Sequence, residues 1–489
     1  MAAARAELVE LCKTRVPREQ LATVANLARR AFMPDKSLRL LHGVVRPPSN
    51  ARKVLKATDA EKAEYAGALI YVGANEEALK LLAEIDRKAH PIADLFEAFA
   101  RSRTWDFDGA IAPLESHASN PNVNEVGRLR GRFEFAAALV DGRIDFERAA
   151  GLLEELLAET GSDRFRIIHK DSLLLFAQCR IFQKKWSLAT ECLDKLARLS
   201  EADHDPVFSL LTEKWRSILV IARRPESPEA NEALRELRRT RERLIEARRY
   251  EDARSCDYHE AVLRNDDKLM ARLYFGTSYP AFKKRVREHI SDPSRLMGAY
   301  EWPLLRGSRP ETTINVVDGT HRAGGPRLKN GDLPQRLLQI LSLDFYRPLH
   351  GAELHERLYP GEHFNPDTSP DKLHQALRRL RAWIRHSKLP LEVVESGSFY
   401  RLVAREPVAL RVREDSAKTL HVASATEARV HTYGTLLRGK FAERNFSASD
   451  AAGVLGTSSR STVRYLAALR DLGLIGQVKS GPRTHYRLK

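Results

Sequence analysis

The chain has 489 residues, with 81 lysines and arginines against 65 aspartates and glutamates, and a formal net charge of +16. This length is too great for one compact core, so about two to four domains are expected. Hydrophobic residues make up 43% of the chain and charged residues 30%, a globular composition that excludes an intrinsically disordered protein. The positive charge favours an anionic partner, either nucleic acid or an anionic membrane surface.

The start of the chain carries no signal for export. Residues 1–16 hold Arg5, Glu7, Glu10 and Lys13 among their apolar positions, so no uninterrupted hydrophobic stretch can act as a signal peptide. The longest apolar runs fall far short of the roughly 20 residues that a membrane-spanning helix needs. The four cysteines lie far apart, a pattern typical of buried thiols and not of zinc sites. We therefore expect a cytoplasmic protein that has no membrane partner.

The first 290 residues show a repeated helical pattern. Apolar residues recur at helical spacing with short breaks, and several helices begin with a small residue followed by an apolar face. These small residues are Ser37, Ala78, Ala110, Ala149 and Ala189. Their steps of 41, 32, 39 and 40 residues predict an α-solenoid of stacked helix pairs, because close packing between stacked helices needs small side chains.

Residues 63–73 and the segment that follows them, 74–79, resemble the two helices of a tetratricopeptide repeat. The resemblance covers roughly residues 18–290. It implies a helical-repeat domain, residues 1–290, whose concave face binds RNA polymerase or a regulatory protein or peptide. The sequence assigns no residues to that face, and an irregular helical bundle is the alternative.

The composition changes after residue 290. Residues 291–310 contain three prolines and two glycines, so we predict a linker over 291–311. Beyond it, strand patterns alternate with short helices. Residues 311–489 hold 28 lysines and arginines against 18 acidic residues, a net charge of +10, so the basic excess belongs mainly to this part.

Residues 312–404 predict a winged helix-turn-helix domain. The expected order is a strand, a helix from about Leu333, a helix over Gly351–Leu358, a long helix over 371–386 and a hairpin. Ser369 is expected to cap the long helix. Its apolar stripe leaves the other faces to side chains that donate to bases or phosphates. These side chains are Lys372, His374, Gln375, Arg378, Arg379 and Arg381.

This domain is similar to the OmpR-type winged helix of bacterial regulators. The resemblance rests on residues 337–341, 347–359, 373–381 and 396–402. It implies that His374, Gln375 and Arg378 face the bases, whereas Arg379 and Arg381 contact phosphates or pack. No phosphorelay control is implied, because no receiver domain precedes the match. The alternative is that the arginines form a solvated helix face.

Residues 426–489, which follow a predicted linker over 405–425, predict a second winged helix-turn-helix domain. They hold 11 lysines and arginines against 4 acidic residues, a density that favours phosphate contact. Gly456 permits the turn, Ser458 caps the recognition helix and Gly473 ends it. Val463, Leu466 and Leu469 are predicted to be buried. The side chains then left to contact DNA are Ser458, Arg460, Ser461, Arg464 and Tyr465.

A basic hairpin follows this helix. Its predicted strands are 475–479 and 484–488, and its tip reads Ser-Gly-Pro-Arg. Lys479 and Arg483 are predicted to rest on the DNA backbone or in the minor groove.

No catalytic, cofactor or metal site is predicted. Residues 434–441 resemble a phosphate-binding loop, but Phe441 stands where a hydroxyl must reach magnesium. The histidines show no metal-ligand spacing. We therefore expect a non-enzymatic protein.

The sequence favours a bacterial-type transcriptional regulator, mainly α, with an α-solenoid followed by two α+β winged-helix domains that bind double-stranded DNA. The rival hypothesis is a scaffold whose repeats and winged helices all bind proteins. RNA binding is less favoured because no aromatic stacking platform is evident. Association into a homo-oligomer stays open, as do the operator and the direction of regulation.

Overall fold

The computed structural model describes residues 2–47, 56–161, 163–305, 309–321, 327–328, 332–413, 425–442, 444–480 and 483–489. These residues are mainly helical, with three small sheets. They belong to two compact units, residues 1–295 and 296–489. Among the described helices, none is both long enough and apolar enough to cross a lipid bilayer.

Helices follow one another through the first unit with short turns between them. In chain order they are α1 (Ala2–Leu11), α2 (Arg18–Arg30), α3 (Pro34–Val45), α4 (Asp59–Tyr71), α5 (Asn75–Leu82), α6 (Ile92–Arg103), α7 (Phe107–Ser119), α8 (Glu125–Gly142), α9 (Phe146–Glu159), α10 (Arg166–Phe182), α11 (Trp186–Ala202), α12 (Pro206–Arg223), α13 (Pro228–Glu246), α14 (Tyr250–Arg264), α15 (Asp267–Phe275) and α16 (Pro280–His289). Side-chain caps begin several of them: Thr58 forms a capping box with Glu61 at α4, and Asp145 caps α9.

The helices of the first unit pack in sequence order. In addition, α2 packs on α4, α4 on α6, α8 on α10, α10 on α12 and α12 on α14, so most even-numbered helices also contact the next even-numbered helix. The five small residues of the repeated pattern lie in α3, α5, α7, α9 and α11, and each is fully buried. Their burial is what close helix packing requires.

The turns that join α2 to α3, α4 to α5, α6 to α7, α8 to α9 and α10 to α11 share one backbone geometry. Each turn has one residue in the left-handed region, with φ between 57° and 83°. These residues are Phe32, Gly73, Trp105, Arg143 and Lys184. The N–H of the next residue donates to the carbonyl five residues earlier, the Schellman arrangement that ends many helices. Four of the five are not glycine, and each holds the left-handed conformation at a cost of about 1 kcal/mol.

The second unit alternates short strands with helices. Its elements are β1 (Ala299–Pro303), β2 (Thr312–Asn315), α17 (Leu333–Leu341), β3 (Leu349–His350), α18 (Gly351–Leu358), α19 (Ser369–His386), β4 (Leu391–Ser396), β5 (Phe399–Ala404), β6 (Val408–Arg413), α20 (Ala425–Phe441), β7 (Phe446–Ser447), α21 (Ala448–Leu455), α22 (Ser459–Asp471), β8 (Ile475–Ser480) and β9 (Arg483–Leu488). The strand orders are β1-β6-β2, β3-β5-β4 and β7-β9-β8. All pairs are antiparallel except β2 with β6.

Two segments that the sequence predicts as linkers contain strands. β1 lies within 291–311 and β6 within 405–425, and β6 pairs with both β1 and β2. In the sequence, Pro303 favours a break in secondary structure. In the structure it is the last residue of an edge strand, a position where proline is tolerated. Trp302 of β1 stacks on Phe345, with the ring centroids 3.9 Å apart.

Candidate nucleic-acid interface

Helix α19 buries one stripe and exposes the rest of its surface. Leu373, Leu377, Leu380 and Ile384 are buried as the sequence predicts, and α19 packs on α17 and α18. The exposed side chains of Gln375, Arg378 and Arg379 have no hydrogen bond or ion pair within the described part of the chain. Unpaired amide and guanidinium groups on a helix surface are free to donate to base edges and phosphates.

The other three predicted DNA contacts on α19 already have partners in the protein. Lys372 Nζ lies 2.7 Å from a carboxylate oxygen of Glu362. His374 Nε2 lies 3.2 Å from the Tyr400 hydroxyl. Arg381 donates to the Val393 carbonyl at 3.2 Å. His374 and Arg381 therefore connect α19 to the β4-β5 hairpin, whereas Gln375, Arg378 and Arg379 form the available face.

The predicted capping role of Ser369 is wrong. Ser369 is a buried residue of α19, and its hydroxyl accepts the N–H of Asn365 at 2.9 Å. Thr368 precedes the helix without a side-chain cap bond. The Asn365 side chain instead accepts the N–H groups of Asp367 and Thr368, at 2.9 and 3.2 Å. This Asx turn organises the chain before the helix and makes a serine cap unnecessary.

A buried histidine supports the first turn of α19. His355 of α18 is 1% exposed, and its Nε2 lies 3.0 Å from the Ser369 hydroxyl. Burial lowers the pKa of His355 from 6.5 to about 4. Between these two pH values, His355 binds a proton in the unfolded chain but not in the folded chain. The free energy of unfolding therefore falls as the pH drops through this range.

We predict that the stability contributed by neutral His355 is lost on acidification. Between about pH 7 and pH 5 the wild-type chain should lose about 2 kcal/mol more free energy of unfolding than His355→Gln, which cannot titrate. Urea unfolding at the two pH values measures the difference. His386→Gln, which alters an exposed histidine at the end of α19, is the control. An equal loss in the wild type and His355→Gln would refute the prediction.

Helices α21 and α22 have defined caps and a defined turn between them. Ser447 and Asp450 form a capping box at α21, and Gly456 ends α21 with a φ of 63°. Ser458 caps α22, because its hydroxyl accepts the N–H of Ser461 at 3.3 Å. These observations confirm the predicted turn glycine and cap. Arg460, one residue into the helix, is exposed and has no partner among the described residues.

The predicted inward face of α22 is partly wrong. Its buried residues are Thr462, Tyr465, Leu466 and Leu469, spaced as one face of an α-helix requires. Val463, predicted to be buried, is 52% exposed. Tyr465, predicted to point outward, is 8% exposed and packs edge-on against Tyr433 at 4.6 Å. A strict three-residue step from Val463 drifts around the helix, whereas steps of three and four keep to one face.

Two further predicted contacts, Ser461 and Arg464, lie on this helix. Arg464 is exposed, and its guanidinium lies 5.3 Å from the Tyr465 ring centroid. Ser461 is half-buried.

The hairpin β8-β9 pairs from Ile475 with Leu488 to Ser480 with Arg483. Its tip, 481–482, and the side chains of Lys479 and Arg483 lie outside the described residues.

Within the described ranges, no group of three or more His, Cys, Asp or Glu side chains could hold a metal ion. A scan against protein-family models finds no match, and a search of curated proteins finds no significant similarity.

Proposed function

We propose that the protein is a DNA-binding regulator of transcription. Residues 312–404 and 426–489 would act as two winged helix-turn-helix domains on double-stranded DNA, the first of OmpR type and extended by β1 and β6. Residues 1–290 would form a solenoid of tetratricopeptide type that receives a signal or a partner such as RNA polymerase or a regulatory peptide.

One observation carries the proposal. Helices α19 and α22 each bury one stripe and expose cationic groups that have no hydrogen bond or ion pair among the described residues. These groups include Arg378 and Arg379 on α19 and Arg460 on α22. A structural role would leave an arginine beside a carboxylate, as Arg347 lies beside Glu353. Arginines without such partners, in a region of net charge +10, suit base edges and phosphates.

The mechanism follows from this arrangement. α19 and α22 would each enter a major groove, with Gln375, Arg378 and Arg460 at base edges and Arg379 at a phosphate. Each bidentate contact contributes roughly 1–3 kcal/mol of discrimination between bases. The β4-β5 and β8-β9 hairpins would lie beside the neighbouring backbone. Two such domains predict a composite site with two recognised elements.

Salt dependence of DNA binding tests the proposal. We expect the affinity of the full chain for a duplex of about three helical turns to fall roughly 10³-fold or more between about 50 and 200 mM salt, because about six or more phosphates release counterions. Fluorescence anisotropy of a labelled duplex measures this slope. A flat salt dependence, or no binding at low salt, would rule the proposal out.

The rival function is a protein-binding scaffold. Val463 on α22 is 52% exposed and Phe399 at the start of β5 is 37% exposed, and a protein partner that covered these side chains would bury apolar surface. A scaffold should retain its partner at high salt and should not respond to loss of Arg378 or Arg464.

A further inference from the structure

A cavity of about 410 Å³ lies within the first unit, in the size range of ligand pockets. Residues from the even-numbered helices α4 to α16 line it, together with the turns after α6 and α8 and the start of α7. Aromatic rings form much of the wall, among them Phe99, Phe182, Trp215 and Tyr258. Such a wall suits a planar, apolar ligand.

Two arginines in this wall bond to groups other than carboxylates: Arg143 Nη1 lies 3.2 Å from His289 Nε2, and Arg285 donates to the Asp141 carbonyl at 2.5 Å. Arg143 and Arg285 are half-buried, and neither forms an ion pair within the described part of the chain. The guanidinium of Arg143 lies 5.2 Å from the Phe182 ring centroid, and that of Arg285 lies 5.7 Å from the Trp105 ring centroid. Burial, and further the like charge of Arg143, lowers the pKa of Arg285. An anion bound between Arg143 and Arg285 would favour their charged forms, because it would offset both the cost of burial and the repulsion between the two like charges.

An unsatisfied hydroxyl belongs to the same wall. Tyr258 is 2% exposed, and its hydroxyl has no hydrogen-bond partner in the described structure. The guanidinium of Arg143 lies 5.7 Å from its ring centroid. A buried donor without an acceptor is costly, and a ligand oxygen would satisfy it.

The acidic groups of the cavity do not cancel these arginines. Glu134 pairs with Arg130 at 2.5 Å, Asp252 with Lys214 at 3.4 Å and Glu251 with Arg254 at 3.1 Å. Asp141 forms no ion pair among the described residues, and burial raises its pKa to about 6 against the opposing charges of Lys214 and Arg285. The cavity therefore carries more unpaired positive charge than negative charge.

We propose that this cavity binds a small organic anion with an aromatic body. Its acid group would lie beside Arg143 and Arg285 and accept the Tyr258 hydroxyl proton in a hydrogen bond, while its ring packs against Phe182 and Trp215. The site gives the first unit a chemical signal to receive, and it does not depend on DNA binding by the second unit.

Two dyes with the same aromatic body test this proposal on the full chain. Anilinonaphthalenesulfonate carries an anionic group, and phenylnaphthylamine has the same rings without it. Fluorescence titration should show one sulfonate dye bound per chain, with an affinity at least about tenfold above that of the neutral dye. Equal affinities, no binding, or binding of several dyes per chain would overturn the proposal.

Matched variants locate the dye. Arg143→Gln should weaken binding of the sulfonate about tenfold and Tyr258→Phe about threefold, without an effect on the neutral dye. Arg239→Gln, an exposed change on α13, should leave both dyes unaffected. Tyr258→Phe removes only an unpartnered hydroxyl, so folding is retained and the test stands if Arg143→Gln is unstable. Unchanged sulfonate binding in Tyr258→Phe and in a folded Arg143→Gln would refute the site.

Discussion

Replacing Glu353 by alanine is expected to lower the free energy of unfolding by about 3 kcal/mol, because it removes a buried carboxylate that pairs with two half-buried arginines. Glu353 lies in α18 and is 2% exposed. Its two carboxylate oxygens each accept from Arg347 at 2.7 Å, and one also accepts from Arg357 at 2.8 Å. The carboxylate thus joins the segment before β3 to α18, on which α19 packs. Urea unfolding followed by circular dichroism measures the loss.

The pH dependence of this interaction has a defined sign. Burial alone would raise the pKa of Glu353, but the charges of Arg347 and Arg357 outweigh it and hold the pKa below its usual range. The stabilisation is therefore present above the ordinary glutamate pKa and is lost as the pH falls through the lowered value. Glu362→Ala, which removes an exposed ion pair with Lys372, is the control and should cost under about 1 kcal/mol. A similarly small loss in Glu353→Ala would contradict this account.

Changes to two adjacent arginines of α19 are expected to affect DNA binding in different ways. Arg378→Ala should weaken binding to a specific site by about 10- to 100-fold and relax the preference at one base pair, because it removes a base contact. Arg379→Ala should weaken binding to all sequences equally and reduce the salt slope by about one, because it removes a phosphate contact. Anisotropy titrations with specific and scrambled duplexes separate the two effects.

The control for both is Arg385→Ala, which removes the same charge from the last turn of α19, where the side chain is also exposed. The affinity for the specific site should stay within about twofold of the wild-type value. The last turn of α19 is expected to lie away from the DNA, where salt screens the charge of Arg385. Equal losses of DNA affinity in all three variants would show a general electrostatic effect and would contradict a base contact by Arg378.

Much of the fold can be predicted because local patterns of residue type and spacing determine it. The small residues from Ser37 to Ala189 are buried at the helix contacts that their spacing predicts. Gly456 and Ser458 have the turn and cap roles that their residue types favour. By contrast, the left-handed turns at Arg143 and Lys184 leave no glycine signal, because neighbouring helices hold a conformation that these residues do not favour by themselves.

The site was predicted less completely, and the cavity was not predicted. Tyr465 and Val463 exchange places because a strict three-residue count departs from the 3.6-residue helical period. Ser369 does not cap α19, because the side chain of Asn365 forms an Asx turn before the helix. The cavity brings together residues from Gly67 to Arg285, which are distant in sequence, and only the packing of the helices places them side by side.

Selection of fragments from the source genome shows whether the protein reads specific duplex DNA, as proposed above. The purified full chain should be run at about 150 mM salt, where non-specific binding is weak, beside the Arg378→Ala/Arg460→Ala double variant. We predict that a few promoter fragments are enriched by the wild type and lost with the variant. Enrichment of no fragment, or the same fragments with the variant, would contradict the proposal.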